Sequence, residues 1–306
     1  MENPEQNNFK SGFVAVVGRP NVGKSTLINR FLGQKIAAVS PKPQTTRHQQ
    51  LGILTLGEAQ IIFTDTPGMH LAHTKLGERM NQAAENPLAD SDAILFLVDL
   101  SQAPHEEDHI LAEKLKALRE APPVLMVLNK VDMLEAESLE GRQSRYQALL
   151  PEAQAIPISA TEGHNIAELL EVILAHLPPG PPFYPEDQIT DLYERDIAAD
   201  LIREAALNNL QDEVPHGIAV RIDEFTERGE DGAYIEATLF VERESHKGIV
   251  IGAGGEMIKT ISTQARKEIE KMSGRKVFLR LRAKVRKNWR NDDFFLKSFT
   301  FGGEQE

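Results

Sequence analysis

The sequence predicts two domains, an α/β domain followed by a smaller α+β domain. In the first half of the chain, short and nearly continuous apolar runs alternate with amphipathic segments, which is typical of a mostly parallel sheet with helices on both faces. A dense run of prolines then interrupts this pattern at residues 177–187. Beyond the prolines the predicted elements follow the order α-β-β-α-α-β. A chain of 306 residues is long enough for two such folds.

The strands of the first domain are predicted from runs rich in apolar and β-branched residues. They are FVAVV (13–17), QIIFTD (60–65), AILFLVDL (93–100), VLMVLNK (124–130) and AIPISA (155–160). Segments between them, such as HILAEKLKALRE (109–120), repeat apolar residues at three- and four-residue spacing, as crossover helices do. NIAELLEVILAHL (165–177) is the predicted closing helix.

The domain boundary is predicted at the prolines, because residues this stiff cannot continue a helix and favour an extended linker. They are Pro178, Pro179, Pro181, Pro182 and Pro185. We therefore expect a flexible N-terminus (1–12), a first domain (13–177), a linker (178–187), a second domain (188–290) and a C-terminal tail (291–306) whose phenylalanines pack on the second domain.

The second domain is predicted to begin with an amphipathic helix at 191–210. GIAVRIDEFTE (217–227) and AYIEATLFVER (233–243) predict two strands, joined by a turn at 229–232. The remaining predicted elements are a short helix (246–252), a longer helix (256–273) and a strand with alternating apolar residues (276–285).

Composition excludes several kinds of chemistry. The chain has no cysteine, which rules out disulfides, thiolate catalysis and cysteine-ligated metals and fits a reducing compartment. The N-terminus MENPEQNNFKSG does not resemble a secretory signal, and no run approaches the roughly 18 apolar residues of a membrane span. We expect a soluble, cytoplasmic protein, with peripheral membrane association left open.

Charge is distributed unevenly along the chain. The net formal charge is −12, yet residues 245–290 contain thirteen Lys or Arg and three acidic residues, a local balance of +10. A basic segment on an acidic protein indicates an anionic partner, although a solvated helix face would give the same count.

The first functional motif follows the first predicted strand. Gly18–Ser25, GRPNVGKS, matches the phosphate-loop pattern G-x4-G-K-[ST] at a strand-to-helix junction. Backbone N–H groups of such a loop surround nucleotide phosphates, while Lys24 is expected to reach the β- and γ-phosphates and Ser25 to ligate Mg²⁺. The sequence therefore predicts a nucleotide site here.

Three further motifs lie at the carboxyl ends of later strands, where α/β sheets bind ligands. Asp65 of DTPG is expected to hold Mg²⁺ through water, and the Gly68 N–H to bond a γ-phosphate. Asp132 of NKVD can accept two N–H bonds from guanine, and the Lys130 stem can pack on its ring. The SA motif, Ser159-Ala160, is expected to contact the guanine carbonyl through its backbone. The predicted nucleotide-binding residues are Gly18, Arg19, Pro20, Asn21, Val22, Gly23, Lys24, Ser25, Thr26, Asp65, Thr66, Pro67, Gly68, Asn129, Lys130, Val131, Asp132, Ser159 and Ala160.

With these motifs in order, residues 13–177 resemble a translation-factor-class P-loop GTPase domain. The resemblance implies a switch-region threonine that ligates Mg²⁺ only when the γ-phosphate is present. KPQTTR (42–47) has the form seen in Era and MnmE relatives, which assigns that role to Thr46, with Thr45 as the alternative. The implied metal ligands are Ser25, Thr46 and, through water, Asp65.

The residue after Gly68 departs from the better-known GTPases. Ras-like proteins have a glutamine there that orients the attacking water, but this chain has Met69, so slow intrinsic hydrolysis is expected. Relatives with a hydrophobic residue here and a phosphate-loop asparagine, as at Asn21, use K⁺. The residues expected to act in catalysis are Lys24, Thr46, Gly68 and Asn21. His70 and His73 are nearby, but loop histidines are usually solvated.

A separate motif in the second predicted domain is VIGAGGEMIK (250–259), in which Gly252-Ala253-Gly254-Gly255 forms a G-x-x-G between two predicted helices. It lacks the Lys-Ser/Thr of a phosphate loop. In the α-β-β-α-α-β order it matches a type II K-homology (KH) domain, whose G-x-x-G loop clamps a single-stranded nucleic-acid backbone. The predicted RNA-binding residues are Lys247, Ile251, Gly252, Ala253, Gly254, Gly255, Lys259 and Arg266, with Lys267, Arg280 and Arg282 adding phosphate attraction.

A GTPase domain followed by a type II KH domain closely resembles the Era family of bacterial ribosome-assembly GTPases over almost the whole chain. The resemblance implies a GTP/GDP switch that binds the 3′ end of 16S RNA in the small ribosomal subunit, with peripheral attachment to the inner membrane. A monomer is expected. Two alternatives remain: a GTPase of tRNA modification, which would need a further cofactor domain and usually a C-terminal cysteine, and a membrane or cell-division GTPase whose basic segment binds anionic lipid.

Overall fold

The computed structural model describes residues 9–40, 42, 46–47, 49–68, 74–118, 122–134, 139–229 and 232–299. These residues fall into two compact units. The first is drawn from 1–34, 46–72 and 77–191, and the second from 35–45, 73–76 and 192–306.

The first unit contains a six-stranded sheet. Its strands are β1 (Lys10–Val17), β2 (Gln50–Leu56), β3 (Ala59–Asp65), β4 (Ala93–Asp99), β5 (Val124–Asn129) and β6 (Gln154–Pro157), in the spatial order β2-β3-β1-β4-β5-β6. All neighbouring strands are parallel except β2 and β3, which run antiparallel. Every residue of β3 and β4 is buried, as their continuous apolar character predicts. The predicted α/β class is confirmed.

Helices connect these strands. They are α1 (Lys24–Leu32), α2 (Lys75–Glu85), α3 (Glu106–Lys116), α4 (Leu139–Gln147) and α5 (Ile166–His176). One core cluster joins residues of β4 and β5 to the apolar side of α3 through Leu111, Ala112 and Leu115. The three- and four-residue spacing of these apolar side chains is what turns one face of α3 toward the sheet.

Strand β2 was not predicted from the sequence. QLGILTL begins with a glutamine, contains Gly52 and is only partly buried toward its end. It lies at the edge of the sheet, so it needs less apolar surface than the central strands. The continuous apolar runs that identify buried strands are therefore absent here.

The proline-rich segment is extended and lies along the first unit. Ser11 Oγ donates a hydrogen bond to the Pro181 carbonyl at 2.6 Å. The rings of Phe13 and Phe183 pack with their centroids 5.1 Å apart. Residues of this segment thus contribute to the packing of the first unit.

The second unit is an α+β fold. It contains α6 (Glu194–Asn209), β7 (Ala219–Glu227), β8 (Gly232–Val241), α7 (Glu244–Ile251), α8 (Glu256–Ser273) and β9 (Lys276–Val285). The sheet order is β7-β8-β9, with β7 antiparallel and β9 parallel to β8. The predicted order α-β-β-α-α-β and the KH class are confirmed. None of the helices in the described part of the chain combines the length and apolar character of a membrane span.

The sheet of the second unit has one face covered by helices and a second face that is exposed over part of its area, while Thr238 and Phe240 on that second face are buried. Alternate residues such as Ile235, Leu239 and Val277 belong to a core cluster shared with α6 and α8. Because strand side chains alternate, the intervening residues point to the opposite side. We call that side the open face; it includes Tyr234, Glu236, Phe278, Arg280, Arg282 and Lys284.

A final helix, α9 (Asp293–Phe299), occupies the C-terminal tail. Phe295 is 3% exposed and packs edge-on against Phe240 and Trp289. The expectation that the tail phenylalanines pack on this unit is confirmed for Phe295 but wrong for Phe294, which is 81% exposed.

Candidate functional site

The phosphate loop lies between β1 and α1, at the carboxyl edge of the first sheet. Gly23 caps the helix with a left-handed φ of 107°. A Cβ at this position would lie 2.2 Å from Asn129 Nδ2, so only glycine fits both the backbone angle and the close approach. The loop is thereby held against the neighbouring NKVD motif.

Lys24 lies inside this loop and is 6% exposed. Its Nζ donates to the carbonyl oxygens of Gly18 at 3.0 Å and Arg19 at 3.1 Å. Burial lowers the pKa of Lys24 to about 8, against the opposing attraction of Asp65. A phosphate at the loop would favour the charged ammonium, so the position suits binding of an anion.

Three oxygen-bearing side chains converge beside the loop. Ser25 Oγ donates to Asp65 Oδ2 at 2.7 Å and lies 2.9 Å from Thr46 Oγ1. Thr46 Oγ1 also donates to Asp65 Oδ2, at 3.3 Å. The structure therefore brings together the three residues that the sequence assigns to Mg²⁺.

Asp65 is fully buried, and its Oδ1 atom has no hydrogen-bond partner among the described residues. Burial raises the pKa of this carboxyl above its usual value. A buried carboxylate oxygen without a partner is costly, and hard oxygen donors are the ligands that Mg²⁺ takes. Hydroxyl and carboxylate groups of Ser25, Thr46 and Asp65 thus fit the metal.

The rest of the DTPG motif runs beside the phosphate loop. Thr66 Oγ1 donates to the Val16 carbonyl at 2.7 Å, which fixes the start of the segment. A Cβ built on Gly68 would lie 2.7 Å from the Pro20 nitrogen, so the two loops touch. Met69, His70 and His73 lie outside the described residues, as does Thr45.

Asn129 connects the phosphate loop to the SA motif. Its Nδ2 donates to the Val22 carbonyl at 2.7 Å, and its Oδ1 accepts from the Ala160 N–H at 2.9 Å. Val22, Asn129 and Ala160 are all buried beneath the site. The NKVD and SA motifs are therefore assembled around the Asn129 carboxamide.

The other residues of these two motifs differ in exposure. Lys130 has a left-handed φ of 69°, and its Nζ donates to Asp99 Oδ2 at 2.7 Å. Asp132 is exposed, and its carboxylate makes no hydrogen bond to a described residue. Ser159 is buried, and its Oγ accepts from the Glu162 N–H at 3.0 Å. Asp132 is thus placed to receive donors from a ligand.

Two residues of the site were not identified from the sequence. Gln50 Nε2 donates to Asp65 Oδ2 at 3.2 Å, and no motif marks it. Asp99 ends β4 and accepts from Lys130. Its position at the carboxyl end of a buried strand was a usable signal.

The G-x-x-G loop joins α7 to α8 in the second unit. Gly252 has φ 74° and ψ 173°, and a Cβ there would lie 2.7 Å from Met257 Cβ. Gly254 and Gly255 also have positive φ values, 59° and 84°. This backbone is accessible to glycine but not to most residues, and it leaves the loop free of large side chains.

The predicted RNA-binding residues divide into two places. Ile251 and Lys247 on α7 and Lys259 on α8 flank the loop, whereas Arg266 lies farther along α8 and pairs with Glu270 at 3.4 Å. Lys267 is exposed on α8. Arg280 and Arg282 are instead on the open face, away from the helices that carry the loop. Counting charges along the chain could not separate the basic residues of the helices that carry the G-x-x-G loop from those of the open face.

Comparisons with known proteins find family matches in both units. The family described as 50S ribosome-binding GTPase matches residues 13–130, and the KH domain family matches residues 213–290. A solved structure of Era in complex with MgGDPNP and nucleotides 1506–1542 of 16S ribosomal RNA is 39% identical, with a TM-score of 0.90, and the alignment covers 95% of this chain and 98% of that one. A variant of Aquifex aeolicus Era bound to GDP and AlF₄⁻ is also 39% identical, with a TM-score of 0.89 and 95% and 99% coverage.

Proposed function

The chain belongs to the Era family of GTPases, and we propose from this membership that it is a GTP-switched RNA-binding protein of small-subunit assembly. It hydrolyses GTP to GDP and phosphate in the first unit. The KH domain binds the 3′ end of 16S ribosomal RNA. The observation that carries the proposal is the likeness over 95% of the chain to an Era structure that holds both a GTP analogue and this RNA region.

The described residues account for nucleotide binding. The phosphate-loop amides and the Lys24 ammonium bind the phosphates, as a helix N-terminus and a buried cation do. The exposed Asp132 accepts the guanine N–H groups, which adenine does not offer in the same arrangement. Selectivity for GTP therefore depends on a carboxylate that is not committed to another described residue.

Ser25, Thr46 and Asp65 would hold Mg²⁺, in agreement with the magnesium nucleotide in the similar Era structure. Bound there, the ion would neutralise negative charge on the nucleotide phosphates. Thr46 belongs to the KPQTTR segment that the family resemblance assigns to the switch region. Its hydroxyl makes the site responsive to the γ-phosphate, as the switch requires.

RNA binding combined with nucleotide binding tests the proposal. A labelled oligonucleotide of the 16S 3′ end should bind more tightly with a non-hydrolysable GTP analogue than with GDP, by about 5- to 150-fold if the coupling is of usual size. Fluorescence anisotropy measures both affinities. An oligonucleotide of scrambled sequence, a tRNA and anionic vesicles serve as comparisons.

Two results of this measurement would contradict the proposal. Equal affinity in the two nucleotide states would refute the switch. Preference for tRNA or for vesicles over the 16S oligonucleotide would favour one of the two alternatives, tRNA modification or a membrane role.

We propose that K⁺ completes the hydrolytic site. Met69 cannot orient the attacking water, because a thioether is a poor hydrogen-bonding group. Asn21 stands in the phosphate loop at a φ of 65° and carries an amide oxygen, a ligand type that suits K⁺. A monovalent cation there would stabilise the charge that develops in the transition state.

Hydrolysis should therefore be faster in K⁺ than in Na⁺ at equal ionic strength, by roughly tenfold or more for one well-placed positive charge. Phosphate release measures the rate, and Asn21→Ala should lose the stimulation while its GDP affinity stays within a few-fold. Equal rates in the two salts would sink the potassium proposal and leave the GTPase assignment intact.

We also propose a monomeric, cytoplasmic protein that attaches peripherally to the inner membrane. The absence of cysteine and the basic segment at 245–290 support this placement. Sedimentation velocity tests whether the protein is a monomer in solution. Co-sedimentation with anionic vesicles tests whether it attaches to a membrane surface.

A further inference from the structure

The open face of the second-unit sheet carries side chains that the proposed function leaves unexplained. Helices α6 and α8 pack on the other face, and the G-x-x-G loop belongs to that helical layer. Helix α9 covers the Phe240 end of the open face through Phe295 and leaves the Tyr234–Phe278 end exposed. The open face is therefore a separate surface of the same domain. Its residues on β9 are exposed at every second position.

An aromatic pair lies at one end of this face. Tyr234 and Phe278 are opposite each other in the β8–β9 register. Their rings stack with a distance of 5.5 Å between the centroids and an interplanar angle of 10°. The Arg228 guanidinium lies 4.6 Å from the Tyr234 ring centre. Phe278 is nevertheless 63% exposed. The Phe278 ring is thus stacked on Tyr234 and exposed to solvent.

Basic side chains continue the face from this pair. Glu236 accepts from the Tyr234 hydroxyl at 3.0 Å and pairs with Arg280 at 3.5 Å and Arg282 at 2.6 Å. One carboxylate therefore positions two arginines beside the aromatic pair. Each guanidinium has five N–H donors, so one ion pair leaves others for a second anion.

The charge of the face contrasts with that of the whole protein. Its described residues include six basic and three acidic side chains, although the chain has a net charge of −12. The basic ones are Arg221, Arg228, Lys276, Arg280, Arg282 and Lys284, and the acidic ones are Asp223, Glu224 and Glu236.

We propose that the open face is a second RNA-binding surface, which takes single-stranded RNA by stacking a base on Phe278 and binding phosphates with Arg280, Arg282 and Lys276. The inference rests on the proposed RNA-binding function and extends it beyond the G-x-x-G loop. Stacking on a protein aromatic ring needs an unstacked base, and adjacent cations meet the backbone charge.

Other occupants fit the face less well. A cross-strand aromatic pair stabilises a sheet by itself, but that role does not require the row of cations next to it. A second copy of this chain would bring two basic faces together and repel. An RNA duplex offers phosphates but no free base face for Phe278. Single-stranded RNA uses both the ring and the charges.

The test compares Phe278→Trp and Phe278→Leu in the full-length protein. Leu keeps apolar bulk but cannot stack, so binding of a single-stranded oligonucleotide of roughly 20 nucleotides should weaken by about 5- to 100-fold. Binding of an oligonucleotide of about five nucleotides, enough for a G-x-x-G loop, should not change. Phe278→Trp should retain the affinity for the longer RNA.

Trp fluorescence provides a direct readout. The chain has one tryptophan, the buried Trp289, so a tryptophan introduced at position 278 would dominate any RNA-dependent quenching. Stacking of a base should quench it with the longer RNA and not with the shorter one. Phe294→Ala is the matched control, because it removes an exposed phenylalanine of the same unit and should leave both affinities unchanged.

Three results would overturn the inference. One is equal binding of the longer RNA by Phe278→Leu and the wild type, and another is the absence of quenching. The third is concentration-dependent self-association of the wild type that Phe278→Leu weakens, which would assign the face to a second copy. If the shorter RNA also fails to bind the wild type, the proposed function fails rather than this inference.

Discussion

Replacement of Asp132 by asparagine is expected to change the base preference of the nucleotide site from guanine to xanthine. The Asp132 carboxylate is exposed and accepts no hydrogen bond from a described residue, so its acceptor capacity is available for two guanine N–H groups. Two hydrogen bonds to a charged group are worth about 1.5 to 3 kcal/mol each, which corresponds to a loss of GTP affinity of roughly 10²- to 10⁴-fold. The amide of the introduced asparagine would instead donate to the xanthine carbonyl.

Isothermal titration with GDP and xanthosine diphosphate measures this change. Glu152→Gln is the matched control, because it neutralises an exposed carboxylate of the same unit and should leave GDP affinity unchanged. Unaltered GDP affinity in Asp132→Asn would show that another group recognises the base. Loss of both nucleotides would instead indicate damage to the fold.

The second large effect is expected in the G-x-x-G loop. In Ala253→Asp/Gly254→Asp, two carboxylates would face the RNA phosphates. Like charges about 4 Å apart in water repel by about 1 kcal/mol each, so RNA affinity should fall by at least about 30-fold. Both positions are exposed, nothing lies within 4 Å of a Cβ at Gly254, and Asp tolerates its φ of 59°. Fold stability should therefore be retained.

Ala253→Asn/Gly254→Asn is the matched uncharged control, since Asn has nearly the same size and the same tolerance of left-handed backbone. Anisotropy with the 16S oligonucleotide and thermal unfolding measure binding and stability. If the Asn pair loses as much affinity as the Asp pair, the loop acts through its shape and not its charge. Ala253→Lys should tighten binding, because it adds the basic residue that many KH loops have.

The central strands of the first sheet were predictable because burial on both faces leaves a continuous apolar run, as in AILFLVDL. Strand β2 was not, because an edge position removes that requirement. The order of elements in the second unit was also predictable, since the alternating apolar residues of its strands and the glycines of its loop are local sequence patterns. The prediction failed for Phe294, which is exposed whereas its neighbour Phe295 is buried, because contacts distant in sequence decide which of the two side chains is covered.

Motifs predicted the chemistry of the nucleotide site but not all its contacts. Ser25 and Asp65 meet because β1 and β3 are parallel and bring their carboxyl ends to one edge. Thr46 reaches the same edge because it precedes the antiparallel strand β2, whose first residue is opposite Asp65. Gln50 joins them from an antiparallel strand that no motif marks. On β9, alternation separates Arg280 and Arg282 from the G-x-x-G loop, whereas a charge count along the chain merges them.

The two contacts of Asn129 imply that the residues of the NKVD motif have different roles, with Asn129 holding the site together and Asp132 recognising the base. Its carboxamide ties the Val22 carbonyl to the Ala160 N–H, so any replacement would disturb the phosphate end and the base end together. Asp132, three residues later, has no such structural duty. A change of nucleotide preference is therefore accessible through Asp132 alone, while Asn129 is constrained by the architecture that it maintains.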